Sequence, residues 1–217
     1  MPEMTPRLSV ARKLDHCTVL GPGTRAVLWV QGCPLRCRGC VAAETLPFAG
    51  GTPYTVTELA DWLCALPDSE GVTFSGGEPF AQAAGLAALL DAVRQRRPDF
   101  GAMAYSGFRY ETLSEGAPDQ RALLRRLDLL VDGPYVAARH AGLRWRGSAN
   151  QRILALTDRY AHIPSQPDVS AGVEVSMEPD GSLSWAGVPP TPGFREGLET
   201  QLAARGFVLH TQARREA

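Results

Sequence analysis

Residues 25–40 read RAVLWVQGCPLRCRGC, and this stretch decides how the chain is interpreted. The run from Arg25 to Gln31 is apolar and rich in β-formers, which is typical of a largely buried strand. A glycine ends the run, and three cysteines then fall within eight residues, at Cys33, Cys37 and Cys40. The sequence therefore predicts a strand that delivers three thiols on the loop directly after it.

Length and composition limit the classes of protein to which this chain can belong. The 217 residues suit one medium domain, and 44% hydrophobic residues provide enough apolar material for a sizeable core. The formal net charge is -1, whereas a nucleic-acid binder that works through bulk charge is usually strongly basic. No signal-peptide core occupies residues 1–10, and no apolar run approaches the roughly 20 residues of a membrane span. These features predict a cytoplasmic protein with neither a membrane nor a nucleic-acid partner.

The cysteines indicate metal binding rather than disulfides. They number five, which is odd, and the chain is neither small nor expected in an oxidising compartment. Thiolates are soft ligands for iron–sulfur clusters, zinc or copper(I). A closed structural zinc site needs a fourth ligand, for which Cys17 and Cys64 are the isolated candidates. Three ligands for a four-iron cluster instead leave one iron open to something other than protein.

Strands and helices alternate along the first two thirds of the chain, which is the pattern of βαβ units and a parallel sheet. Further strands are predicted at 71–75, 102–105, 127–131 and 152–156, and helices at 55–66, 82–97 and 120–126. The basic stretch 134–148 is either a solvated loop or part of a site. Beyond it, a hairpin is predicted over 172–186, a helix over 194–205 and a last strand over 206–210.

Glycines and polar residues follow the predicted parallel strands. The stretch Gly76-Gly77-Glu78-Pro79 follows the second strand, Ser106 follows the third and Asp132 follows the fourth. Ligands of parallel α/β sheets collect at the carboxyl ends of strands, so these residues are candidates for a site. Taken alone, Gly76-Gly77-Glu78-Pro79 is more typical of an ordinary turn, and Ser106 and Asp132 are equally compatible with polar loop residues.

The spacing Cys33-x3-Cys37-x2-Cys40 resembles the signature of the radical S-adenosylmethionine (SAM) superfamily. In that family the open iron of a 4Fe-4S cluster chelates SAM, and one electron cleaves SAM to methionine and a 5′-deoxyadenosyl radical. The resemblance implies that the three cysteines are cluster ligands and that SAM is the second cofactor. It also implies that Gly76-Gly77-Glu78-Pro79 is the family's Gly-Gly-Glu-Pro motif, which receives the amino group of SAM.

A longer series of motifs is similar to the activating proteins of anaerobic (class III) ribonucleoside-triphosphate reductase. The series comprises Gly21-Pro22-Gly23-Thr24-Arg25, Gln31-Gly32-Cys33-Pro34-Leu35-Arg36-Cys37, Tyr105-Ser106-Gly107-Phe108, Val131-Asp132-Gly133-Pro134-Tyr135 and Arg146-Gly147-Ser148-Ala149-Asn150-Gln151, in that order. The resemblance implies that Ser106 and Asp132 lie where relatives contact ribose and methionine, and that Asn150 binds the cofactor. It assigns no catalytic side chain.

The resemblance further implies a fold and partners. The expected fold is α/β, a partial, open (β/α)6-type TIM barrel with a C-terminal β-hairpin and helix extension. One radical SAM domain is expected over residues 1–217, with a core at about 17–155 and the extension at about 156–217. The implied reaction installs a glycyl radical on a partner enzyme such as anaerobic ribonucleotide reductase, with a flavodoxin- or ferredoxin-type electron donor.

Departures from the family pattern keep two other hypotheses open. Gly39 stands where many radical SAM enzymes have an aromatic facing adenine, although the reductase activases often carry glycine there too. Val41 stands where those activases commonly have an aromatic, and the 156–217 extension goes beyond a minimal activase. Gly39 therefore favours the activases, whereas Val41 and the extension favour a stand-alone radical SAM enzyme that modifies a small molecule, peptide or nucleotide. The third hypothesis is a non-enzymatic metal-binding or electron-transfer protein.

Overall fold

The computed structural model describes residues 7–177 and 183–206. The strands are β1 (Arg7–Cys17), β2 (Arg25–Val30), β3 (Thr52–Thr55), β4 (Gly71–Gly76), β5 (Gly101–Ser106), β6 (Leu129–Asp132), β7 (His140–Leu143), β8 (Arg146–Ser148), β9 (Arg152–Ala155), β10 (Val173–Met177) and β11 (Leu183–Gly187). The helices are α1 (Val56–Cys64), α2 (Ala83–Arg96), α3 (Tyr110–Ser114), α4 (Pro118–Leu124) and α5 (Phe194–Ala203). The strand predicted over 206–210 lies, apart from Gly206, outside the described residues.

A seven-stranded sheet, ordered β3-β1-β2-β4-β5-β6-β9, forms the centre of the molecule. The pairs β2–β4, β4–β5 and β5–β6 are parallel, which confirms the predicted mixed α/β class. The strands β1, β3 and β9 are antiparallel to their neighbours. The described sheet thus has four parallel strands, fewer than the six that a (β/α)6 arrangement implies. The reason lies in the connections: β1 reaches β2, and β6 reaches β9, without the crossover helix that parallel pairing needs.

The first two helices form where capping and apolar spacing predict them. The Thr55 hydroxyl accepts a hydrogen bond from the Glu58 N–H (3.2 Å), and the Glu58 carboxylate accepts one from the Thr55 N–H (2.7 Å), so the predicted capping box is confirmed. In α2, Leu86 and Leu89 lie on the buried side of the helix. None of the helices within 7–177 and 183–206 is long and apolar enough to cross a membrane.

The two faces of the sheet are both buried, but under different material. Alternate strand residues such as Val72 and Phe74 point to the helix face, where α1, α2 and α4 pack over them in one largely aliphatic cluster. The intervening residues, such as Val27 and Met103, point to the opposite side, here called the loop face. Strands buried on both faces are typical of parallel sheets.

Hairpins and short turns cover the loop face in place of helices. Trp145, which lies between β7 and β8, packs in the apolar cluster that includes Met103. Ala186 of β11 packs in a second cluster with Cys17. The Arg12 guanidinium donates a hydrogen bond to the Trp185 carbonyl (2.8 Å), which joins β1 to β11. Residues of the predicted C-terminal extension therefore cover part of the sheet.

Candidate functional site

The cysteine loop, residues 32–46, begins at the carboxyl end of β2. The Cys33 N–H donates to the Leu46 carbonyl (3.0 Å), which brings the end of the loop back to its start, and the Cys40 N–H donates to the Cys37 carbonyl (3.2 Å). Cys33 is buried, and Cys37 and Cys40 are half-buried. The three predicted ligands thus lie on one closed loop at the edge of the sheet where parallel α/β folds bind ligands.

The thiols of the cysteine loop are close enough to influence one another. Burial raises the pKa of the Cys40 thiol, and the charges of Cys37 and Cys33 raise it further. Within the described ranges, no three His, Cys, Asp or Glu side chains are grouped as ligands of a single metal ion. A four-iron cluster does not require the thiolates to converge on one ion, because each thiolate binds a different iron. Three soft thiolates on one loop fit that group.

The two remaining cysteines lie away from the cysteine loop. Cys17 pairs with Arg25 at the amino end of β2, whereas Cys33 follows the carboxyl end of the same strand. Cys64 is the last residue of α1 and packs against the helix-face cluster. Neither residue is positioned as the fourth ligand that a closed zinc site would require.

The Gly-Gly-Glu-Pro stretch is tied directly to the cysteine loop. The Gly77 N–H donates to the Val30 carbonyl (2.8 Å), and the Glu78 N–H donates to the Gly32 carbonyl (2.8 Å). A Cβ on Gly77 would overlap the Gly32 carbonyl oxygen, and Gly76 has a φ of 94°, so both positions require glycine. The motif predicted to bind SAM therefore touches the backbone that leads into Cys33.

Glu78 is a buried carboxyl held by neutral donors. It accepts hydrogen bonds from the Phe80 N–H (3.0 Å), the Ser106 hydroxyl (3.0 Å) and the Gly107 N–H (2.8 Å). Burial raises its pKa to about 7, against the lowering effect of these hydrogen bonds. The next residue, Pro79, begins a short 3-10 turn. Glu78 thus joins the ends of β4 and β5 through a buried carboxyl group whose pKa lies near neutral pH.

Ser106 meets the cysteine loop at the end of β5. Its hydroxyl donates to Glu78 and accepts from the Phe108 N–H (3.0 Å). Leu35 of the cysteine loop lies against Gly107, so closely that a Cβ on Gly107 would overlap the leucine side chain. The structure therefore brings together the cysteine loop, the Gly-Gly-Glu-Pro stretch and Ser106.

Asp132, at the end of β6, is buried and fully paired. Its carboxylate accepts from the Tyr110 N–H (2.7 Å) and from Arg152 Nε (2.9 Å). Arg152 also bonds Glu111 (2.9 Å), and its hydrogen bonds lower the pKa of Glu111 to about 2. The Asp132 side chain is thus directed to the start of α3 and to β9. The predicted methionine contact of Asp132 stays a prediction.

Asn150 lies beside the turn that follows β6. Its Nδ2 donates to the Pro134 carbonyl (2.7 Å), whereas its Oδ1 is buried without a hydrogen-bond partner among the described residues. The Gly133 N–H donates to the Phe108 carbonyl (3.2 Å), which links this turn to the loop after β5. Asn150 therefore lies at the same edge of the sheet as Ser106, and its cofactor contact stays a prediction.

Tyr135 contacts the cysteine loop, a role that sequence reasoning missed. Its Cε1 is 3.7 Å from the position that a Cβ on Gly39 would occupy. Burial, and then the charge of Cys40, raise the pKa of Tyr135. The available signal was the glycine between Cys37 and Cys40, which leaves room for a side chain from another part of the chain.

Comparison with known proteins identifies the family. A family model described as a 4Fe-4S single cluster domain matches residues 19–154. The anaerobic ribonucleoside-triphosphate reductase-activating protein of Vibrio cholerae is 38% identical over 147 residues, which are 64% of this chain and 92% of that protein. Proteins of the same name from Pasteurella multocida and from Enterobacteria phage T4 are 36% and 31% identical, and the matches cover 64% of this chain and 92% and 89% of those proteins.

These matches confirm the predicted 4Fe-4S cluster and the predicted family. A solved structure, QueE from Escherichia coli, overlaps 46% of this chain and 53% of its own at a TM-score of 0.37 and 14% identity, which is too slight an overlap to inform fold or function. The matched region is 92% of the Vibrio cholerae and Pasteurella multocida proteins but only 64% of this chain. This chain therefore contains residues beyond the region that it shares with them. It belongs to the 4Fe-4S single cluster domain family and, within that family, to the anaerobic ribonucleoside-triphosphate reductase-activating proteins.

Proposed function

We propose that this chain is a radical SAM enzyme that installs a glycyl radical on an anaerobic ribonucleotide reductase. The observation that carries the proposal is the convergence of the cysteine loop with the ends of β4 and β5, in a chain 38% identical to a named activating protein. When bound, a 4Fe-4S cluster and SAM supply a 5′-deoxyadenosyl radical at the cost of one electron. The chemistry supplied to the partner would be removal of a hydrogen atom from a glycine, with methionine, 5′-deoxyadenosine and the glycyl radical as the products.

The chain's own residues would bind and orient these cofactors. Cys33, Cys37 and Cys40 are the proposed cluster ligands, and they would hold the cluster on the loop at the carboxyl end of β2. The Gly76-Gly77-Glu78-Pro79 stretch is the proposed site for the SAM amino group. Because the Gly77 and Glu78 N–H groups are already bonded, the acceptors for an amino group are backbone carbonyls and the Glu78 carboxylate.

Three further residues are proposed to shape the cofactor site. Asn150 has a buried Oδ1 that finds no hydrogen-bond partner within the part of the chain that the structure describes, which supports a direct contact with a donor group of the cofactor. The side chains of Ser106 and Asp132 are bonded to neighbouring loop backbone. We therefore propose that these two act mainly by fixing the backbone that contacts SAM.

The proposed domain organisation is one radical SAM domain, with a core at about 17–155 and an extension from about 156. The proposed form of the sheet is an open, partial barrel whose loop face is its interior. Two observations support an extension that is packed on the core. Glu174 accepts a hydrogen bond from the Thr18 N–H (3.0 Å), and Ala186 is only 3% exposed, in the cluster that contains Cys17.

A protein partner is supported by the surface beside the cysteine loop. Val41 and Phe48 are large apolar side chains that are 41% and 62% exposed, and exposed apolar groups next to a site indicate contact with a partner. Arg36 and Arg38 are exposed on the same loop. Their positive charge supports an acidic one-electron donor of the flavodoxin or ferredoxin type.

A stand-alone enzyme for a smaller substrate is the second candidate. It is favoured by the segments from residues 156–206 that cover part of the loop face, because such a cover leaves less room for a protein loop. The two candidates differ in what receives the radical.

The deciding experiment identifies that recipient. The reconstituted, reduced protein is incubated anaerobically with SAM and the reductase, and electron paramagnetic resonance is used to look for the glycyl doublet. We expect a doublet with the wild-type chain and none with Cys37→Ala. A wild-type chain that cleaves SAM but gives no doublet would refute the reductase as partner and favour a smaller substrate.

A further inference from the structure

An aromatic ring from a distant part of the sequence lies beside the glycine of the cysteine loop. Gly39 is exposed and has a φ of 74°. A Cβ at Gly39 would lie 3.7 Å from Cε1 of Tyr135 and 3.7 Å from the Cβ of Ala137. Both neighbours belong to the loop after β6. The Tyr135 ring therefore lies next to the backbone that joins Cys37 to Cys40.

The position of this ring is fixed on two further sides. The Tyr135 hydroxyl is joined by a 3.0 Å hydrogen bond to Nδ1 of His140, and the two rings meet edge to face with centroids 5.9 Å apart. On another side, a Cβ on Gly147 would lie 3.0 Å from Cδ2 and 3.2 Å from Cε2 of the ring. Gly39 and Gly147 thus both lack a side chain where the Tyr135 ring lies.

The backbone around Tyr135 is held by the Ser-Ala-Asn-Gln block that follows Gly147. The Ser148 hydroxyl accepts from the Val136 N–H (3.2 Å). The Asn150 amide donates to the Pro134 carbonyl (2.7 Å), and the Gln151 amide donates to the Gly133 carbonyl (3.0 Å). The polar side chains of this block thus bind the backbone on both sides of Tyr135, so the ring has little freedom to move.

Other aromatic side chains near the site are engaged elsewhere. Phe80 is 2% exposed within the helix-face cluster, and Trp29 and Tyr105 pack in the loop-face clusters. Phe48 lies against Gly32, at the start of the cysteine loop rather than between its second and third cysteines. Among the described residues, Tyr135 is the aromatic side chain that lies within 4 Å of the Gly39 position.

We infer that Tyr135 provides the aromatic surface against which the adenine of SAM packs. This inference rests on the proposed function. The half-buried Tyr135 ring lies beside the loop that carries the proposed cluster ligands, so a cofactor bound there would meet it, and purines pack on aromatic faces regardless of sequence context. His140 Nε2 and Asn150 Oδ1 are buried in the same segment, have no hydrogen-bond partner in residues 7–177 and 183–206, and offer polar partners for a purine edge.

The test compares the affinity of the cluster-loaded protein for SAM and for 5′-deoxyadenosine, measured by anaerobic equilibrium dialysis. Tyr135→Leu removes the ring but keeps an apolar side chain, and we expect both affinities to fall about tenfold or more. Tyr135→Phe loses only the bond to His140 and is expected to stay within about threefold of wild type, since the ring remains. Tyr54→Leu, on β3, is the matched control and should leave both affinities unchanged.

The outcomes separate this inference from the function on which it rests. A wild-type protein that holds its cluster but binds no SAM refutes the proposed function and the inference together. A wild type that binds SAM, with Tyr135→Leu equal to it, overturns the inference alone, as does Tyr135→Phe falling as far as Tyr135→Leu. Iron content is measured for every variant. If Tyr135→Leu loses its iron, Tyr135→Met decides, because it removes the ring but keeps a long apolar side chain, and an affinity equal to that of the wild type would overturn the inference.

Discussion

The helix face and the loop face of the central sheet differ in how their buried polar atoms are paired. The helix face is covered by one aliphatic cluster. Six buried side-chain atoms have no hydrogen-bond partner among the described residues, and all belong to β5 or to the segment 140–150 on the other side. They are Tyr105 Oη, His140 Nε2, Arg144 Nε, Trp145 Nε1, Arg146 Nε and Asn150 Oδ1. Each such atom costs about 1–3 kcal/mol when left unpaired.

This difference indicates that the helix face mainly stabilises the fold, whereas the other side of the sheet contributes to the site. Uniform aliphatic packing of the helix face contributes stability in proportion to its buried area. On the other side, the segment that carries the unpaired atoms also positions Tyr135 beside the cysteine loop. Buried polar atoms without partners are few in folded proteins, and a functional role is one of the explanations for them. Substitutions at the site and on the two faces should therefore have separable effects on function and on stability.

Removing a cluster ligand should have the largest effect, and on function alone. Cys33→Ala, Cys37→Ala or Cys40→Ala leaves too few thiolates to hold the cluster, so iron content after reconstitution should fall to near zero. The Cys17→Ala and Cys64→Ala variants should keep full iron content, because those cysteines lie away from the loop. Loss of iron in either of these controls would mean that the ligand assignment is wrong.

Matched truncations on the two faces should cost different amounts of stability. Leu89 on the helix face and Leu129 on the loop face are both 0% exposed. Leu89→Ala should lower the free energy of unfolding by about 4 kcal/mol, and Leu129→Ala by about 2 to 3 kcal/mol, because irregular segments collapse more easily around a cavity than helices do. Denaturant titration measures both. If both variants lost the same free energy of unfolding, the two faces would not differ in how well they collapse around a cavity.

Breaking the pairing of Asp132 should create an unpaired buried charge. Asp132 has 1% of its side chain exposed and is paired with Arg152. Arg152→Gln should destabilise the protein by about 3 kcal/mol, because the carboxylate loses its counter-charge inside the fold. The exposed partner Glu111 provides the control, since Glu111→Gln leaves the buried pair intact and should change stability little. A small effect of Arg152→Gln in denaturant titration would show that water reaches Asp132.

Glu78 should make stability depend on pH. Its pKa is raised from 4.5 to about 7 by burial, so between these values the folded protein binds a proton that the unfolded chain releases. The free energy of unfolding should therefore fall as pH rises through this window, with a share of about 2 to 3 kcal/mol from Glu78. Denaturant titrations from pH 5 to pH 8 measure the slope. Glu78→Gln should flatten this slope. An unchanged slope in that variant would mean that a group other than Glu78 binds the proton.

The elements with strong local signals were predictable from the sequence. The apolar strand at 25–31 and the capped helix that begins after Thr55 lie within two residues of the observed bounds of β2 and α1. Three cysteines on one loop identified the kind of cofactor, because ligand type and spacing are local properties. The parallel pairing of β2, β4, β5 and β6 was predictable from the alternation of strands and helices.

Features set by long-range contacts were not predictable. The strand β1 contains Arg12, Lys13 and Asp15, which break the apolar pattern, and it forms because it pairs with both β2 and β3. The basic stretch 134–148 forms the β7–β8 hairpin rather than a simple loop. The contact of Tyr135 with Gly39 joins residues almost a hundred positions apart, and no local pattern reports such a contact.

The central claim is that a cluster held by Cys33, Cys37 and Cys40 cleaves SAM. The most direct measurement is the amount of 5′-deoxyadenosine formed by the reconstituted protein, reduced with dithionite and supplied with SAM under anaerobic conditions. We predict formation of 5′-deoxyadenosine by the wild-type chain and none by Cys40→Ala. A wild-type protein with a full, reduced cluster that forms no 5′-deoxyadenosine would contradict the account.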